Sequence, residues 1–380
     1  MIKIFYFLKE FYGGATTFGK IITKMNNKYI KCYAVSFEKP KNFSNKIVYL
    51  TNDYPTTFFP SLRKFILFIR NIFLSLFFIN KKRPDIIMCG DNYTFILLNL
   101  CKPFIRVKPI FVLRVGAILP VINEKPYFLY RQLLLITINY LVKKTDFFIC
   151  QTKTGIHDFI SNFKPNKTAK IISIHNSINL AEAKMLSDKQ IDIRDSHLIT
   201  NQVFKIMSAG RFEKQKDFIT IIKAFRHVYD KLPNTNLFLI GDGSMKKKIK
   251  ELIQHLNLSN SVFLLGWKNN IYSYLKHVDL YIHSSLYEGF PFTILEAMSQ
   301  KLPIISTDTP FGPRKILGLN KYGILVPIGD HNSMAIKIIY LLKSKALRKK
   351  YSILSYDRVH FFSEKRMINQ YLTFFKSIYK

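Results

Sequence analysis

The chain has 380 residues, of which 48% are hydrophobic and 22% charged, so it can bury substantial cores, and its length favours two domains over one. Its 58 lysines and arginines outnumber 24 acidic residues, and the formal net charge of +34 predicts an anionic partner: nucleic acid, phospholipid headgroups or a phosphorylated substrate. The four cysteines are scattered, which argues against a zinc site or a disulfide framework and is typical of a reducing cytosol.

The first half of the chain contains short apolar segments typical of buried strands. The N-terminal segment lacks the longer apolar core and the cleavage site of a signal peptide, so we interpret it as the first of these strands. The strand candidates are "IKIFYF", "IKCYAVSF", "DIIMCG", "PIFVLRVG", "DFFICQT" and "KIISIHN".

Residues 62–85, "LRKFILFIRNIFLSLFFINKKRPD", are the segment of the chain that comes nearest to a membrane-spanning helix. Arg70 and Asn71 interrupt its apolar run, which is shorter than the roughly 20 residues of a membrane-spanning helix. As a helix it has a narrow polar stripe and a wide apolar surface, followed by the basic residues 81–83. The pattern predicts either a core helix or a helix that lies at a membrane interface.

The second half alternates strands and helices more regularly, which predicts a parallel, doubly wound sheet, so both halves are expected to be α/β. Residues 177–202 are polar and interrupt this alternation, so the predicted boundary separates an N-terminal domain, 1–178, from a C-terminal domain, 179–363. Residues 364–380 form an amphipathic terminal helix. The strand candidates are "FKIMSAG", "NLFLIGDG", "VFLLG", "VDLYIHSS", "LPIISTD" and "GILVP".

Two glutamates lie eight positions apart in "YEGFPFTILEA". The preceding segment predicts a strand, so Glu288 lies in its exit loop, while Pro291 suits the first turn of the helix that carries Glu296. Carboxylates accept hydrogen bonds from paired sugar hydroxyls, and Gly289 would let the backbone approach a ligand. Acidic residues near a helix start also favour the helix dipole, so a purely structural role stays open.

Two basic residues occupy the first loop of the second half. In "SAGRFEKQKDF", Arg211 and Lys216 follow a strand and precede a helix. A guanidinium fork and an ammonium point charge at a helix N-terminus can hold a diphosphate. In so basic a chain, solvated loop charge is the alternative.

Taken together, these motifs resemble family 4 of the retaining glycosyltransferases. The resemblance implies the GT-B fold: two Rossmann-like, doubly wound domains facing a central cleft, with the nucleotide-sugar donor on the C-terminal domain and the terminal helix crossing back to the N-terminal domain. It covers nearly the whole chain and is most specific in the second half. The segments that carry it are "SAGRFEKQKDFITIIKAF", "LIGDGSMKKKIKELIQHLNLSNSVFLLGW", "DLYIHSSLYEGFPFTILEAMSQKLPIISTD", "GPRKIL" with "YGILVP", and, earlier, "YGGATTFGK", "KTDFFICQTKTGIHDFISNF" and "IISIHNSINL".

The resemblance also implies residue roles. Glu288 would face the donor sugar and Glu296 the ribose hydroxyls, while Arg211 and Lys216 would hold the diphosphate and stabilise it as it leaves. The expected catalytic residues are Glu288, Arg211 and Lys216. The expected donor-binding residues are Gly13, Gly14, Arg211, Lys216, Gly266, Glu288, Gly289, Phe290, Pro291 and Glu296. The backbone around Gly266 and Val326–Pro327 would border the base.

We expect no metal and no cofactor, because the segments show no Asp-x-Asp motif and the resemblance implies same-face attack in which the leaving phosphate accepts the acceptor's proton. The expected partners are a donor, by family frequency a UDP-sugar, a glycan or polyprenyl-diphosphate-linked sugar acceptor, and an anionic membrane surface. The expected location is the inner face of a bacterial cytoplasmic membrane, in synthesis of a surface glycan such as O-antigen, capsule or lipopolysaccharide.

One departure concerns the N-terminal domain, where many relatives carry a histidine near the donor sugar. This chain reads "FVLRVGAIL" there, and Arg114 either faces the site or is a structural arginine at a strand end. Two other functions stay open: another GT-B sugar-nucleotide enzyme such as an epimerase or a phosphorylase, and a basic nucleic-acid-binding protein. We do not expect nucleic acid as a partner, because the aromatic residues mostly follow core periodicity.

Overall fold

A computed structural model describes most of the chain, and within it the chain divides into two compact units. One unit is Met1–His175 together with Lys365–Lys380, and the other is Asn176–Glu364. The chain therefore leaves the first unit after His175 and returns to it with the C-terminal helix. The described residues are 1–9, 14–37, 47–50, 60–116, 122–123, 127–199 and 203–379.

Each unit contains one parallel sheet. The first sheet has the order β3-β2-β1-β4-β5-β6-β7, and the second has the order β10-β9-β8-β11-β12-β13. The strands of the first are β1 (Ile2–Leu8), β2 (Ile30–Ser36), β3 (Ile47–Tyr49), β4 (Ile86–Cys89), β5 (Ile110–Arg114), β6 (Phe147–Cys150) and β7 (Lys170–Ser173). Those of the second are β8 (Phe204–Ala209), β9 (Thr235–Ile240), β10 (Val262–Gly266), β11 (Leu280–His283), β12 (Ile304–Thr307) and β13 (Ile324–Val326).

Helices connect the strands. In chain order they are α1 (Gly14–Thr23), α2 (Pro60–Lys82), α3 (Asn92–Cys101), α4 (Phe128–Lys143), α5 (Lys153–Phe163), α6 (Leu180–Ser187), α7 (Ile193–Ile199), α8 (Phe218–Lys231), α9 (Lys246–His255), α10 (Tyr272–Leu275), α11 (Phe292–Ser299), α12 (Gly312–Leu317), α13 (His331–Lys343), α14 (Lys345–Val359) and α15 (Glu364–Ile378). Among the described residues, no helix combines the length and the apolar character needed to cross a membrane.

Most strand residues are buried because helices cover both faces of each sheet. All four residues of β4, "IIMC", and all four of β12, "IIST", are buried. Buried side chains of α8 recur at the helical period on the face turned to the second sheet, at Phe218, Ile221, Ile222, Phe225 and Val228. These helices and strands form the α/β architecture that the alternating pattern predicted.

The strand order of the second sheet reverses at β8, whose neighbours are β9 and β11. Ligands of open α/β sheets bind at such a reversal, in the crevice outside the carboxyl ends of the strands. The loops that follow β8 and β11 meet there, and they carry the basic and acidic residues singled out from the sequence.

The C-terminal helix belongs to the first unit through its apolar face. Met367, Tyr371, Phe374, Phe375 and Ile378 of α15 are buried. Phe374 packs edge-to-face on Phe147 of β6. The amphipathic face predicted from the sequence is therefore covered by the first unit's own strands and helices.

Candidate active site

The central feature of the site is a buried ion pair between the two loops at the strand reversal. Glu288 is only 6% exposed, and its Oε1 contacts the Nζ of Lys216 and accepts a hydrogen bond of 2.7 Å from Ser285 Oγ. The Nε2 of His283 lies 3.3 Å from the same oxygen, without the alignment of a hydrogen bond. Strand topology thus brings together an acid and a base that are 72 residues apart.

The electrostatics of this cluster favour an ionised Glu288. Burial alone would raise the pKa of its carboxyl group, but the charge of Lys216 and the contact with His283 outweigh burial and hold the pKa well below its ordinary value. Burial lowers the pKa of His283, so its imidazole is neutral near pH 7. The cluster therefore contains one carboxylate, one ammonium group and one neutral imidazole.

Backbone contacts hold the two loops in register. Ser284 Oγ donates hydrogen bonds to the carbonyl oxygens of Lys216, at 2.7 Å, and Asp217, at 2.9 Å. The side-chain amide of Gln215 donates to the carbonyl of Tyr287 at 2.9 Å. The positions of Lys216 and Glu288 are therefore fixed by the polypeptide around them as well as by their own ion pair.

Glu296 has the opposite electrostatic character. It lies on α11 and is partly buried, and among the described residues no hydrogen bond or ion pair reaches its carboxylate. Burial raises the pKa of Glu296 to about 7. A partly buried carboxylate without partners is costly to ionise, and hydroxyl groups of a ligand would supply the missing hydrogen bonds.

The loop between the two glutamates packs tightly. A Cβ atom on Gly312 would lie 2.6 Å from the carbonyl oxygen of Gly289, so the loop can pass there only beside a glycine. Phe290 is buried edge-to-face against Phe362, and its carbonyl accepts a 2.6 Å hydrogen bond from Asn176. The Phe290 side chain therefore turns into the core, which leaves only its backbone for the donor contact predicted for it.

Pro291 lies one position earlier in the helix than the sequence predicted. It occupies the N-cap position of α11, before the first turn rather than within it. Its fixed φ, here −70°, and its missing N–H group suit the start of a helix. Pro291 is also buried, so it supports the loop and offers little surface to a ligand.

The remaining basic candidate is Arg211, directly beyond Gly210 at the carboxyl end of β8. Its side chain is exposed, and within the described part of the chain no hydrogen bond or ion pair holds its guanidinium group. An anionic ligand at the strand reversal could therefore bind Arg211 without displacing an internal partner.

The glycines predicted to bind the donor are distributed over both units, and the two segments predicted to border the base lie in the second unit. Gly14 begins α1 in the first unit, and Gly13 lies outside the described residues. Gly266, at a φ of 71°, ends β10, whereas Val326 ends β13. These are the two edge strands of the six-stranded sheet, and the assignment of both segments to the base stays a prediction.

Residues 189–357 match the family model described as Glycosyl transferases group 1. We call the matched region the group 1 domain; it contains Arg211, Lys216, Glu288 and Glu296. It covers less than half of the chain and lies within the second unit.

Two curated relatives and one solved structure place this match in context. The chain is 33% identical over 253 residues to an uncharacterized glycosyltransferase of Methanocaldococcus jannaschii, covering 59% of this chain and 62% of that protein. It is 28% identical over 214 residues to the N-acetylgalactosamine-N,N'-diacetylbacillosaminyl-diphospho-undecaprenol 4-alpha-N-acetylgalactosaminyltransferase of Campylobacter jejuni, covering 56% and 55%. Anabaena HepE in complex with UDP-glucose superposes with a TM-score of 0.77 at 17% identity, covering 99% and 100%.

These comparisons differ in what they establish. The structural match extends over both units and shows the fold, which is GT-B, with two Rossmann-like units that each contain a parallel sheet. The curated matches reach only about six-tenths or just over half of the relatives' lengths.

Arg114, outside the group 1 domain, is a buried residue at the end of β5. Its guanidinium group lies 4.0 Å from the ring centre of Phe18, and its Nε donates to the hydroxyl of Tyr371 at 3.3 Å. The hydroxyl of Tyr6 also lies within its hydrogen-bonding environment. Arg114 thus joins the sheet, α1 and α15, which agrees with the structural alternative left open by the sequence.

Sequence reasoning missed His283 and Ser285. Both lie in "VDLYIHSS", where His283 is the last residue of an apolar strand and Ser285 precedes Glu288 by three positions. A histidine at the carboxyl end of a buried strand beside the strand reversal was the available signal. In the described ranges, no group of three or more His, Cys, Asp or Glu side chains could hold a metal ion.

Proposed function

We propose that the protein is a retaining glycosyltransferase that moves a sugar from a nucleotide-diphospho-sugar to a lipid-linked or polysaccharide acceptor in the synthesis of a cell-surface glycan. The observation that carries this proposal is that the group 1 domain contains two carboxylates in opposite electrostatic environments. Glu288 is ionised and held by Lys216, whereas Glu296 is partly buried and has no partner among the described residues.

In this proposal each carboxylate binds a different part of the donor. Glu296 accepts hydrogen bonds from the two ribose hydroxyls, which supply the partners that its carboxylate lacks without ligand. Glu288, fixed by Lys216 and Ser285, faces the transferred sugar. Its low pKa keeps it an acceptor for sugar hydroxyls throughout the physiological pH range.

The basic residues act on the leaving group. Arg211, exposed and free of internal partners among the described residues, binds the diphosphate as it arrives. Lys216 belongs to the loop after β8 and pairs with Glu288, and a diphosphate beside this loop would share its positive charge. Charge develops on the departing diphosphate, so cations held in place beforehand lower the barrier. The acceptor's proton passes to the leaving phosphate on the same face, so no separate general base and no metal ion are required.

The donor and acceptor classes rest on the similar proteins. HepE of Anabaena was solved with UDP-glucose, and the Campylobacter enzyme is named for a diphospho-undecaprenol-linked acceptor. We therefore propose a UDP-sugar as donor and a polyprenyl-diphosphate-linked saccharide as acceptor, with the protein bound peripherally at the inner face of the cytoplasmic membrane.

The test is a transfer assay with purified protein, UDP-, GDP- and ADP-linked sugars, and an undecaprenyl-diphosphate-linked saccharide. We expect nucleoside diphosphate release from the UDP-sugar that depends on the acceptor, and NMR of the product should show the donor's anomeric configuration. Glu296→Gln should abolish transfer, while Glu251→Gln, an exposed glutamate of α9, should not. An inverted product would refute the retaining mechanism, and conversion of donor without acceptor would favour an epimerase.

A further inference from the structure

Helix α2 is oriented with its polar stripe towards the protein. Asn71 is only 4% exposed and donates a 2.9 Å hydrogen bond to the Tyr93 hydroxyl of α3, and Ser75 Oγ donates to the carbonyl of Asn71 at 2.7 Å. On the opposite face, Phe73 is 67% exposed and Phe77 is 66% exposed. A surface helix of a soluble protein normally has the reverse arrangement.

Helix α4 shows a second apolar face. Leu129, Leu133, Ile136 and Tyr140 are spaced by four, three and four residues and share one side of the helix. All four are exposed, Leu129 by 70% and Ile136 by 64%. The opposite side, which includes Ile138, is buried in the core. The helix is therefore apolar on its outer as well as its inner face.

These two faces belong to one surface. Helices α2, α3 and α4 connect strands in the same direction across the sheet, so right-handed crossovers place them on one side of it. Helix α3 lies between the other two and packs against both. Leu100, in the last turn of α3, and Phe104, just after this helix, are exposed too. We call this the α2–α4 surface; its exposed apolar residues are Phe65, Ile66, Ile69, Phe73, Phe77, Leu100, Phe104, Phe128, Leu129, Leu133, Ile136 and Tyr140.

The apolar character of this surface is local and does not follow from the overall composition. Helix α8 of the second unit has an equally apolar inner face, but its outward side chains are polar, among them Lys223, His227 and Asp230. A contiguous exposed apolar patch of this size on a soluble protein marks a site of interaction.

The charges around the surface indicate the partner. None of the three helices contains an acidic residue. Because each connects parallel strands, all three run in the same direction, and their C-terminal ends lie on one side. Exposed basic residues occupy that side and form a basic rim: Lys81, Lys82, Arg83, Lys102, Lys143 and Lys144.

We propose that the α2–α4 surface docks on an anionic lipid bilayer. Its aromatic and aliphatic side chains insert among the lipid headgroups, and its basic rim contacts the lipid phosphates. Apolar insertion flanked by lysine and arginine is the chemistry of interfacial helices. A second copy of the chain fits less well, because pairing this surface with itself would bring two uncompensated basic rims together. The proposal rests on the proposed function in one respect: docking would bring the enzyme to a lipid-linked acceptor.

The test is co-sedimentation of the full chain with sucrose-loaded vesicles of phosphatidylcholine, alone or mixed in equal parts with phosphatidylglycerol. The test variants are Phe73→Gln with Phe77→Gln, and Leu133→Gln with Ile136→Gln. The matched control is Ile336→Gln with Ile353→Gln, which removes two exposed isoleucines from α13 and α14 of the second unit. All six side chains are exposed, so each variant should keep the wild-type melting temperature.

We expect the wild type to bind the mixed vesicles and each test pair to lose at least about tenfold in partitioning, while the control pair binds like the wild type. Replacing Lys81, Lys82 and Arg83 with glutamine should weaken binding to the mixed vesicles by about fivefold for each charge. It should leave the weaker binding to phosphatidylcholine unchanged.

Two results would overturn the proposal. One is equal vesicle binding, or none, for the wild type and the test variants. The other is a dimer detected by light scattering that Phe73→Gln with Phe77→Gln dissociates, which would assign the surface to self-association. The test variants should keep the increase in melting temperature caused by UDP, so failure of the membrane proposal is separable from failure of the proposed function.

Discussion

Replacing Glu296 with glutamine should stabilise the ligand-free protein and at the same time remove donor binding. The substitution keeps the size of the side chain but removes its charge. Glu296 is partly buried, and no hydrogen bond or ion pair among the described residues compensates its carboxylate. The charge is therefore a cost to the folded state until a ligand hydroxyl binds it.

The magnitude follows from the pKa of Glu296, which burial raises from 4.5 to about 7. Below pH 4.5 both folded and unfolded states hold the proton; between 4.5 and 7 only the folded state does, so the free energy of unfolding falls as pH rises. Above about 7 both states are ionised and the full penalty remains. The pKa shift from 4.5 to about 7 corresponds to a cost of about 3 kcal/mol in the free energy of unfolding. Partial exposure of Glu296 to solvent reduces this cost to about 1–2 kcal/mol.

Thermal unfolding at two pH values, with and without UDP, measures both effects. At about pH 8 the ligand-free Glu296→Gln variant should melt roughly 2–8 °C above the wild type, and at about pH 5 the two should nearly coincide. UDP should raise the melting temperature of the wild type alone. The exposed control Glu251→Gln should match the wild type in every condition. A variant that is no more stable at the higher pH, or that still responds to UDP, would refute the reasoning.

Three further predictions concern the buried ion pair, the C-terminal helix and the absence of a metal requirement. Lys216→Ala leaves Glu288 buried without its cation and should destabilise the protein by about 3–5 kcal/mol in urea unfolding, whereas Lys214→Ala should change little; adding Glu288→Gln should restore part of the loss. Tyr371→Phe removes an acceptor from the buried Arg114 guanidinium and should cost about 1–3 kcal/mol by the same measurement, and unchanged stability would contradict its role. Transfer activity should survive EDTA; a loss that Mg²⁺ or Mn²⁺ restores would contradict the metal-free mechanism.

The fold could be predicted from the sequence because it depends on local periodicity. Apolar runs such as "IKIFYF" and "FKIMSA" became buried strands, and the apolar residues of "KDFITIIKAFRHVYDKLP" recur at the 3.6-residue period that α8 buries. Strand order was not readable in this way, because it depends on which runs pair across the chain.

The site could be predicted only in part. Spacing indicated that Arg211 and Lys216 lie beyond one strand and Glu288 beyond another, but not that Lys216 would contact Glu288, because that contact depends on the adjacency of β8 and β11. For the same reason, the sequence did not show that Gly266 and Val326 lie at opposite edges of one sheet. His283 was missed because one polar residue at the end of an apolar strand hardly changes the strand's pattern.

The orientation of α2 was also beyond the sequence. The helix is apolar over most of its circumference, so periodicity left a core helix and an interfacial helix both open. The hydrogen bond from Asn71 to Tyr93 turns the polar stripe inward and exposes Phe73 and Phe77. A tertiary partner on a neighbouring helix, and not the pattern of the helix itself, decides which face meets solvent.

The central claim is that the group 1 domain binds a nucleotide-sugar donor through Glu296 and the Lys216–Glu288 pair. Isothermal titration calorimetry with UDP, GDP and ADP, on the wild type and on Glu296→Gln, tests it most directly. We predict one-to-one binding of UDP to the wild type, and no detectable binding of UDP to the variant. Binding that is equal in both proteins, or no binding of any of the three nucleotides to the wild type, would contradict the account.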